Sequence, residues 1–306
     1  MQKKIFICFF YILFFSSSIF AFDYDYDSGL LWQIEAPNGK KSQLFGTMHL
    51  VDKDMNTVFD LISYQIKQSR MVFIEYTLEQ TDALFISEHL VHTKAAISTK
   101  LSNQELGKLK KFFQENHIPF DSLKNASPSL IYSYLINPGS ISDLQIDFKI
   151  ADFAHKQKIP VKGLENARDV FEKMLAFDNK FYIFALKNRL SQINTLPSYR
   201  KRLKILYFKE DLPGLLFSVH EKNISPEINQ AFMNTLINQR NIHMFNRTRK
   251  ELDKGQVFIA VGAAHLGGEK GLISLLKNAG YKMTRQDLSL SLTPMGTEIN
   301  PVIKIT

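Results

Sequence analysis

The chain has 306 residues, 45% of them hydrophobic and 22% charged, with a formal net charge of +8. That is long enough for one large domain with a substantial core. The only cysteine is Cys8; it lies inside an apolar leader, so the mature protein is expected to have neither disulfides nor thiolate metal centres, and His, Asp and Glu remain as ligands. Surplus cations fall in short groups at 108–111, 200–204 and 247–254, the last broken by Glu251 and Asp253; with no nucleic-acid-binding motif beside them they read as solvated helix faces, and no nucleic-acid partner is expected.

Residues 1–21 open with Lys3 and Lys4, run apolar from 5 to 15, and turn small and polar before Ala21. This is the pattern of a secretory signal peptide cut after Ala21, which makes the protein exported, periplasmic or secreted, and takes the net charge to +6. The apolar run is short for a membrane span. Left uncut, it would be the one membrane contact expected. Residues 22–28, FDYDYDS, read as a flexible leader (22–29), and residues 30–306 as a single domain.

Two short strands, 30–35 and 41–45, flank a turn at Pro37-Asn38-Gly39. The second runs into Gly46-Thr47-Met48-His49. A helix follows, with Asp52 and Asp54 at its start and Val58, Leu61, Ile62 and Ile66 as its apolar stripe. An apolar strand at 70–74 then ends at Glu75, completing one strand–helix–strand unit. From about 78 to 154 the spacing is helical, with prolines between segments and a capped start at Ser102, three residues before Glu105. We therefore expect a helical insertion there. A strand at 159–163 leads to Glu165, and helix resumes over 166–176. The stretch 181–241 is mainly helical, with a weak break at Pro197, an interruption at Pro213-Gly214 and a helix opening at Pro226. An amphipathic region over 227–249 carries Arg240-Asn241 in its middle. Residues 257–261 form an apolar, partly β-branched strand, followed by Gly262, His265 and Gly267-Gly268, then a helix that stops at Gly280. A last edge strand follows Tyr281. The expected fold is α/β, a mixed central β-sheet with flanking helices and a helical insertion.

One phrase occurs twice. Residues 44–50 read LFGTMHL and residues 260–266 read AVGAAHL, each two apolar residues, Gly, a small residue, another apolar residue, His and Leu. A histidine just past the carboxyl end of a buried strand lies where open α/β sheets place their chemistry. Two matched copies more than 200 residues apart point His49 and His265 at one site; the plainer alternative is a pair of turn histidines satisfied by backbone carbonyls. Glu75 and Glu165 can supply a ligand oxygen, a general base, or an acceptor that orients a ring. We expect a divalent ion held by His49, His265 and Glu75 with water in the open position, where the ion makes hydroxide available near neutral pH. Arg240 can clamp a carboxylate or stabilise an oxyanion, and Asn241 can donate to a polarised oxygen; as structural residues they would cap a helix or brace the sheet. Glu35 reads as an ordinary strand-end residue. His89 and His92 share a helix face but lack the glutamate of an HExxH arrangement, and Gly267-Gly268 lacks the lysine and serine or threonine of a phosphate loop.

LFGTMHL, VFIEYT, VKGLEN, QRNIHM and VFIAVGAAHLGGEKGLISLLKNAGY together resemble the TraB/PrgY/GumN family over about 30–283. The family includes the Tiki proteins, membrane-associated metalloproteases acting on Wnt ligands, and is grouped more remotely with erythromycin esterase and the ChaN haem-binding proteins. The resemblance implies an α/β core of the erythromycin esterase/ChaN kind with both histidine turns in one cleft. By motif, Gly46 and His49 match the first Gly-x-x-His, Gly262 and His265 the second, Glu75 the acidic residue after the next strand, Glu165 the GLE glutamate, and Arg240-Asn241 the RN pair. It further implies manganese or cobalt rather than obligatory zinc, and a peptide or protein substrate cleaved by metal-activated water. Ala264 departs from the glycine common in relatives and gives up easy access to positive φ. The alternatives are a haem-, metal- or peptide-binding protein without turnover, or a secreted effector whose helical lobe binds a partner.

Overall fold

The computed structural model describes residues 26–50, 54–94, 96–138 and 146–290. The expected signal peptide, most of the leader, Asp52 and the tail beyond 290 lie outside the described residues.

Six strands form one mixed sheet in the order β4-β3-β5-β2-β1-β6: β1 (Leu31–Glu35), β2 (Lys41–Thr47), β3 (Met71–Thr77), β4 (Val161–Asn166), β5 (Val257–Gly262) and β6 (Lys282–Gln286). The hairpin turn puts Gly39 at φ 79, and β1 pairs antiparallel with β2 on one side and β6 on the other. The neighbours β2–β5, β5–β3 and β3–β4 are all parallel. Parallel strands covered on both faces read as unbroken apolar runs, and β5 shows this with five successive buried residues before Gly262. From β2 the chain crosses through the helix Asp54–Lys67 to β3 on one side of β5. From β5 it goes through Leu272–Asn278 to β6 on the other. The direction of winding reverses beside β5, and the carboxyl ends there open a crevice.

The helix Asp54–Lys67 buries Met55, Val58, Ile62 and Ile66, a stripe that joins Phe45, Phe258 and Trp32 in the core around the sheet. Ser102 caps Asn103–Glu115 reciprocally with Glu105 as its spacing predicts. Helices occupy the chain between β3 and β4 and again between β4 and β5. A second core unites the two blocks: Leu186, Leu190 and Leu196 pack with Leu109, Phe113, Ile131 and Leu135. The helical lobe is thus assembled from residues on both sides of β4, beyond the 78–154 stretch.

Two prolines behave differently from their reading as interruptions. Pro197 and Pro213 sit in the first turns of Leu196–Phe208 and Leu212–Phe217, where a missing N–H costs nothing. The amphipathic region is also two helices, Pro226–Met233 and Gln239–Leu252, joined through a π turn at Asn234–Asn238. Among the described residues no helix is long and apolar enough to cross a membrane.

Candidate functional site

β2 and β5 lie side by side with Gly46 opposite Val261 and Thr47 opposite Gly262, so the two Gly-x-x-His turns leave the same sheet edge one residue out of step. They pack on each other. A Cβ on Gly46 would stand 3.0 Å from Leu266 Cδ2 and 3.2 Å from Ala263 Cα, which only glycine avoids. The buried Tyr207 hydroxyl donates to the Gly46 carbonyl at 2.8 Å, tying this turn to a helix of the other chain segment. Ala264 lies in the helical turn Ala263–His265 and is not among the residues with positive φ. The departure from glycine therefore carries no backbone cost.

Arg240 is the centre of the cluster. Its Nη2 donates to Glu75 Oε2 and its Nε to Glu165 Oε2, both at 2.6 Å; Nη1 reaches the Leu236 carbonyl at 3.3 Å and lies 3.4 Å from His265 Nε2. Glu75 belongs to β3 and Glu165 to β4, each inside its strand rather than beyond it. The π turn before Gln239–Leu252 shifts the helical register, and Arg240 and Asn241 are both buried. Glu75 Oε1 accepts from the Gly262 N–H at 2.7 Å and lies 3.7 Å from His265 Nε2.

Asn241 does a different job from the one its position suggested. Its Nδ2 donates to the Lys270 carbonyl at 2.8 Å, which orients the amide so that Oδ1 faces His265 Nδ1 at 2.6 Å. Nδ1 therefore carries the proton, and Nε2 presents its lone pair towards Glu75. Burial pulls His265 down to about 4, with Arg240 reinforcing the shift and Glu75 partly offsetting it. It is a neutral imidazole across the physiological range.

The two glutamates share a guanidinium but are driven apart. Burial disfavours the Glu75 carboxylate, yet Arg240, His265, His49 and the Gly262 N–H outweigh it and hold the group well below the usual carboxylate range. At Glu165 burial prevails over Arg240, with the Glu75 charge adding to it, and the group is pushed up. Lys173 Nζ lies 3.9 Å from the other Glu165 oxygen. Carboxylates separated in this way are suited to opposite proton-transfer roles.

His49 stands at the outer side of the cluster, coupled electrostatically to Glu75, Arg240 and His265 and paired with a residue the sequence reading had not singled out. Its Nε2 lies 3.0 Å from Asp147 Oδ2, and Thr47 Oγ1 donates to Asp147 Oδ1 at 2.9 Å. Desolvation opposes charge on this ring, but Asp147 outweighs it and lifts His49 to about 9. With 45% of the side chain exposed, water screens the pair and leaves it worth little to stability. Asp147 Oδ2 is buried and, apart from this ion contact, has no hydrogen bond. The only local signal at Asp147 is an acidic residue in the first turn of Ile146–Lys156, which is ordinary for any helix.

Among the described residues no group of three or more His, Cys, Asp or Glu side chains converges as metal ligands. The closest approach of two ligand atoms from the expected set is His265 Nε2 to Glu75 Oε1. Their 3.7 Å separation is near the roughly 3.4 Å spanned by two bonds of about 2.1 Å at a tetrahedral angle. The other candidates fall away from this cluster. Glu35 lies opposite Lys41 and Lys282 on the reversed strand β1, and His89 stacks on Phe85 with centroids 4.3 Å apart.

The profile of the TraB/PrgY/gumN family matches residues 30–285. The uncharacterized protein YbaP of Shigella flexneri is 23% identical over 253 residues, covering 80% of this chain and 90% of the relative. Its namesake from Escherichia coli K12 is 22% identical over the same shares.

Proposed function

This chain belongs to the TraB/PrgY/gumN family, and from that premise we propose that it is an exported metal-dependent hydrolase, most simply a peptidase. The reading also takes the core to be akin to that of erythromycin esterase and the ChaN proteins. The observation that carries it is His265: buried, neutral, its Nδ1 proton committed to Asn241, its Nε2 lone pair beside a permanently ionised Glu75.

A neutral imidazole and a carboxylate are ligand types shared by manganese, cobalt and zinc. His265 Nε2, Glu75 Oε1 and His49 would hold the ion, His49 after giving up one proton and with Asp147 steadying its ring. Once bound, the ion supplies Lewis acidity and lowers the pKa of a ligated water. The remaining work falls to the protein. Arg240 neutralises two buried carboxylates that would otherwise repel each other. Asn241 keeps one tautomer of His265, and Glu165, with its raised proton affinity, is the group to hold a proton for a leaving amine. A peptide is the expected substrate, since a polarised amide carbonyl is what this chemistry attacks.

One observation favours a second reading. Arg240 Nη1 already stands 3.4 Å from His265 Nε2, so a cation sits next to the nitrogen that a metal would use. On this reading Arg240 holds His265 Nε2 out of the chemistry, and the protein binds haem, a metal or a peptide without turnover, with His49 as the outer ligand.

The test is cleavage of a peptide library by purified protein loaded with manganese, cobalt or zinc, followed by mass spectrometry. The hydrolase reading expects metal-dependent products, with loss of about a hundredfold or more in His265→Ala. Undiminished cleavage in that variant sinks it. Stoichiometric haem uptake with a Soret shift, lost in His49→Ala and without peptide products, selects the second reading.

A further inference from the structure

The helices Ile183–Ser191 and Leu196–Phe208, with the segment 217–224, enclose a basin of about 550 Å³, within the range of small-molecule sites, about 300–1,000 Å³. None of the residues that line it belongs to the histidine cluster. Its floor is rigid. Glu221 is buried and accepts from Arg189 Nε at 2.8 Å, from Arg189 Nη2, and from the Tyr132 hydroxyl at 2.5 Å. Arg189 in turn lies flat on Tyr199, 3.9 Å from the ring centroid, and Tyr199 donates to the Ser218 carbonyl. The Arg189–Glu221 pair cancels, so the floor is polar but neutral.

The rim is not neutral. Arg202 and Lys222 line it, both exposed. Their sides carry no carboxylate apart from the engaged Glu221, and among the described residues neither cation makes an ion pair. Phe217, 65% exposed, lines the same basin and stacks with His220 at 5.7 Å between centroids and 28° between planes. An exposed aromatic face and two cations without ion pairs on the rim of one basin, over a floor already ordered, are recognition elements that stability does not require.

We propose that this basin is a second binding site, for a small anion that carries a planar apolar ring: the anionic group lies between Arg202 and Lys222, and the ring against Phe217. The site is independent of the hydrolase reading and would stand if that reading failed.

Calorimetric titration of the full chain tests it, with EDTA present so that no metal-bound phosphate contributes. Phenyl phosphate is the probe, inorganic phosphate carries the charge alone, and benzyl alcohol the ring alone. Phenyl phosphate is expected to bind one per chain, more tightly than either control. Arg202→Ala with Lys222→Ala should weaken it about tenfold or more, the worth of charge-assisted hydrogen bonds. Phe217→Ala should reduce it to the level of inorganic phosphate, and His265→Ala should leave it unchanged. All three substituted basin residues are solvent-exposed, so the variants keep their fold. The proposal is overturned by an absence of saturable phenyl phosphate binding, by equal binding in the double variant, by benzyl alcohol binding as tightly, or by loss of binding in His265→Ala.

Discussion

The Gly262 N–H donates to Glu75 Oε1 at 2.7 Å, and a Cβ built on Gly262 would stand 3.0 Å from that same oxygen. The glycine of the second motif is there for closeness to a carboxylate, since its φ is an ordinary −52. Gly262→Ala should therefore push Glu75 off its position between Arg240 and His265. We expect a stability loss of about 1–2 kcal/mol by urea denaturation, within the range for overpacking, together with weaker binding of divalent ions by calorimetry. A variant equal to wild type in both would show that Glu75 is free to move.

Removing the shared cation should be worse. Arg240→Met leaves Glu75 and Glu165 buried without the cation they share, at a cost of about 3–5 kcal/mol. The sign with pH follows directly. Glu165, already raised by burial against the pull of Arg240, would rise further without it, so the variant regains stability as pH falls and this carboxyl takes up its proton. Denaturation midpoints should show a smaller deficit at pH 5 than at pH 8.

His265 makes the metal-free protein acid-sensitive. Its folded value of about 4 lies below the ordinary 6.5, so the unfolded chain binds the proton first. Stability from this group is complete above pH 6.5 and is lost as pH falls towards 4, by roughly 3 kcal/mol in all. Glu75, held low, pulls the same way at still lower pH. The buried Asp178, lifted to about 6 by desolvation, pulls the other way, its penalty growing as pH rises towards 6. A comparison of wild type with His265→Gln isolates the histidine: the difference in their stabilities should narrow between pH 7 and pH 4.5. A constant difference would mean that His265 takes up its proton at the same pH in the folded and unfolded chains.

Asn241 is a positioning residue, and its variants should separate orientation from packing. Asn241→Ala leaves the Nδ1 proton without an acceptor, at about 1–3 kcal/mol, and frees the ring to exchange tautomers. Nitrogen-15 spectra of the imidazole should show one tautomer in wild type and a mixture in the variant. Asn241→Asp keeps the acceptor but adds a negative charge, so His265 should titrate at a higher pH. An unchanged imidazole spectrum in Asn241→Ala would assign the tautomer to some other contact.

The strands and both histidine turns were legible because their signals are local. Apolar runs such as 257–261, the turn at Gly39 and the glycine before each histidine all record the conformation of their own neighbourhood. All six strands follow from that reading; of the expected site, Glu75, Glu165, Arg240 and His265 lie together, while His49 stands on the outer side, paired with Asp147. What escaped it is long-range. Nothing near Ile146–Lys156 marks Asp147 as the partner of a histidine almost a hundred residues earlier. The direction in which Asn241 points depends on a π turn, which the amphipathic spacing of 227–249 smooths over. The helical lobe likewise draws Leu186 and Leu190 from beyond β4, and apolar periodicity identifies a buried face without naming what covers it.

The position of β5 has a consequence for how the protein comes into being. This strand, among the last to leave the ribosome, fills the middle of the sheet and brings His265 with it. A chain still short of residue 257 has β2 and β3 but nothing to join them, and so exposes two bare edges of the kind that invite aggregation. It also has no second histidine turn. In a nascent or truncated chain the candidate site is therefore unassembled, and it comes into existence only when β5 enters between β2 and β3.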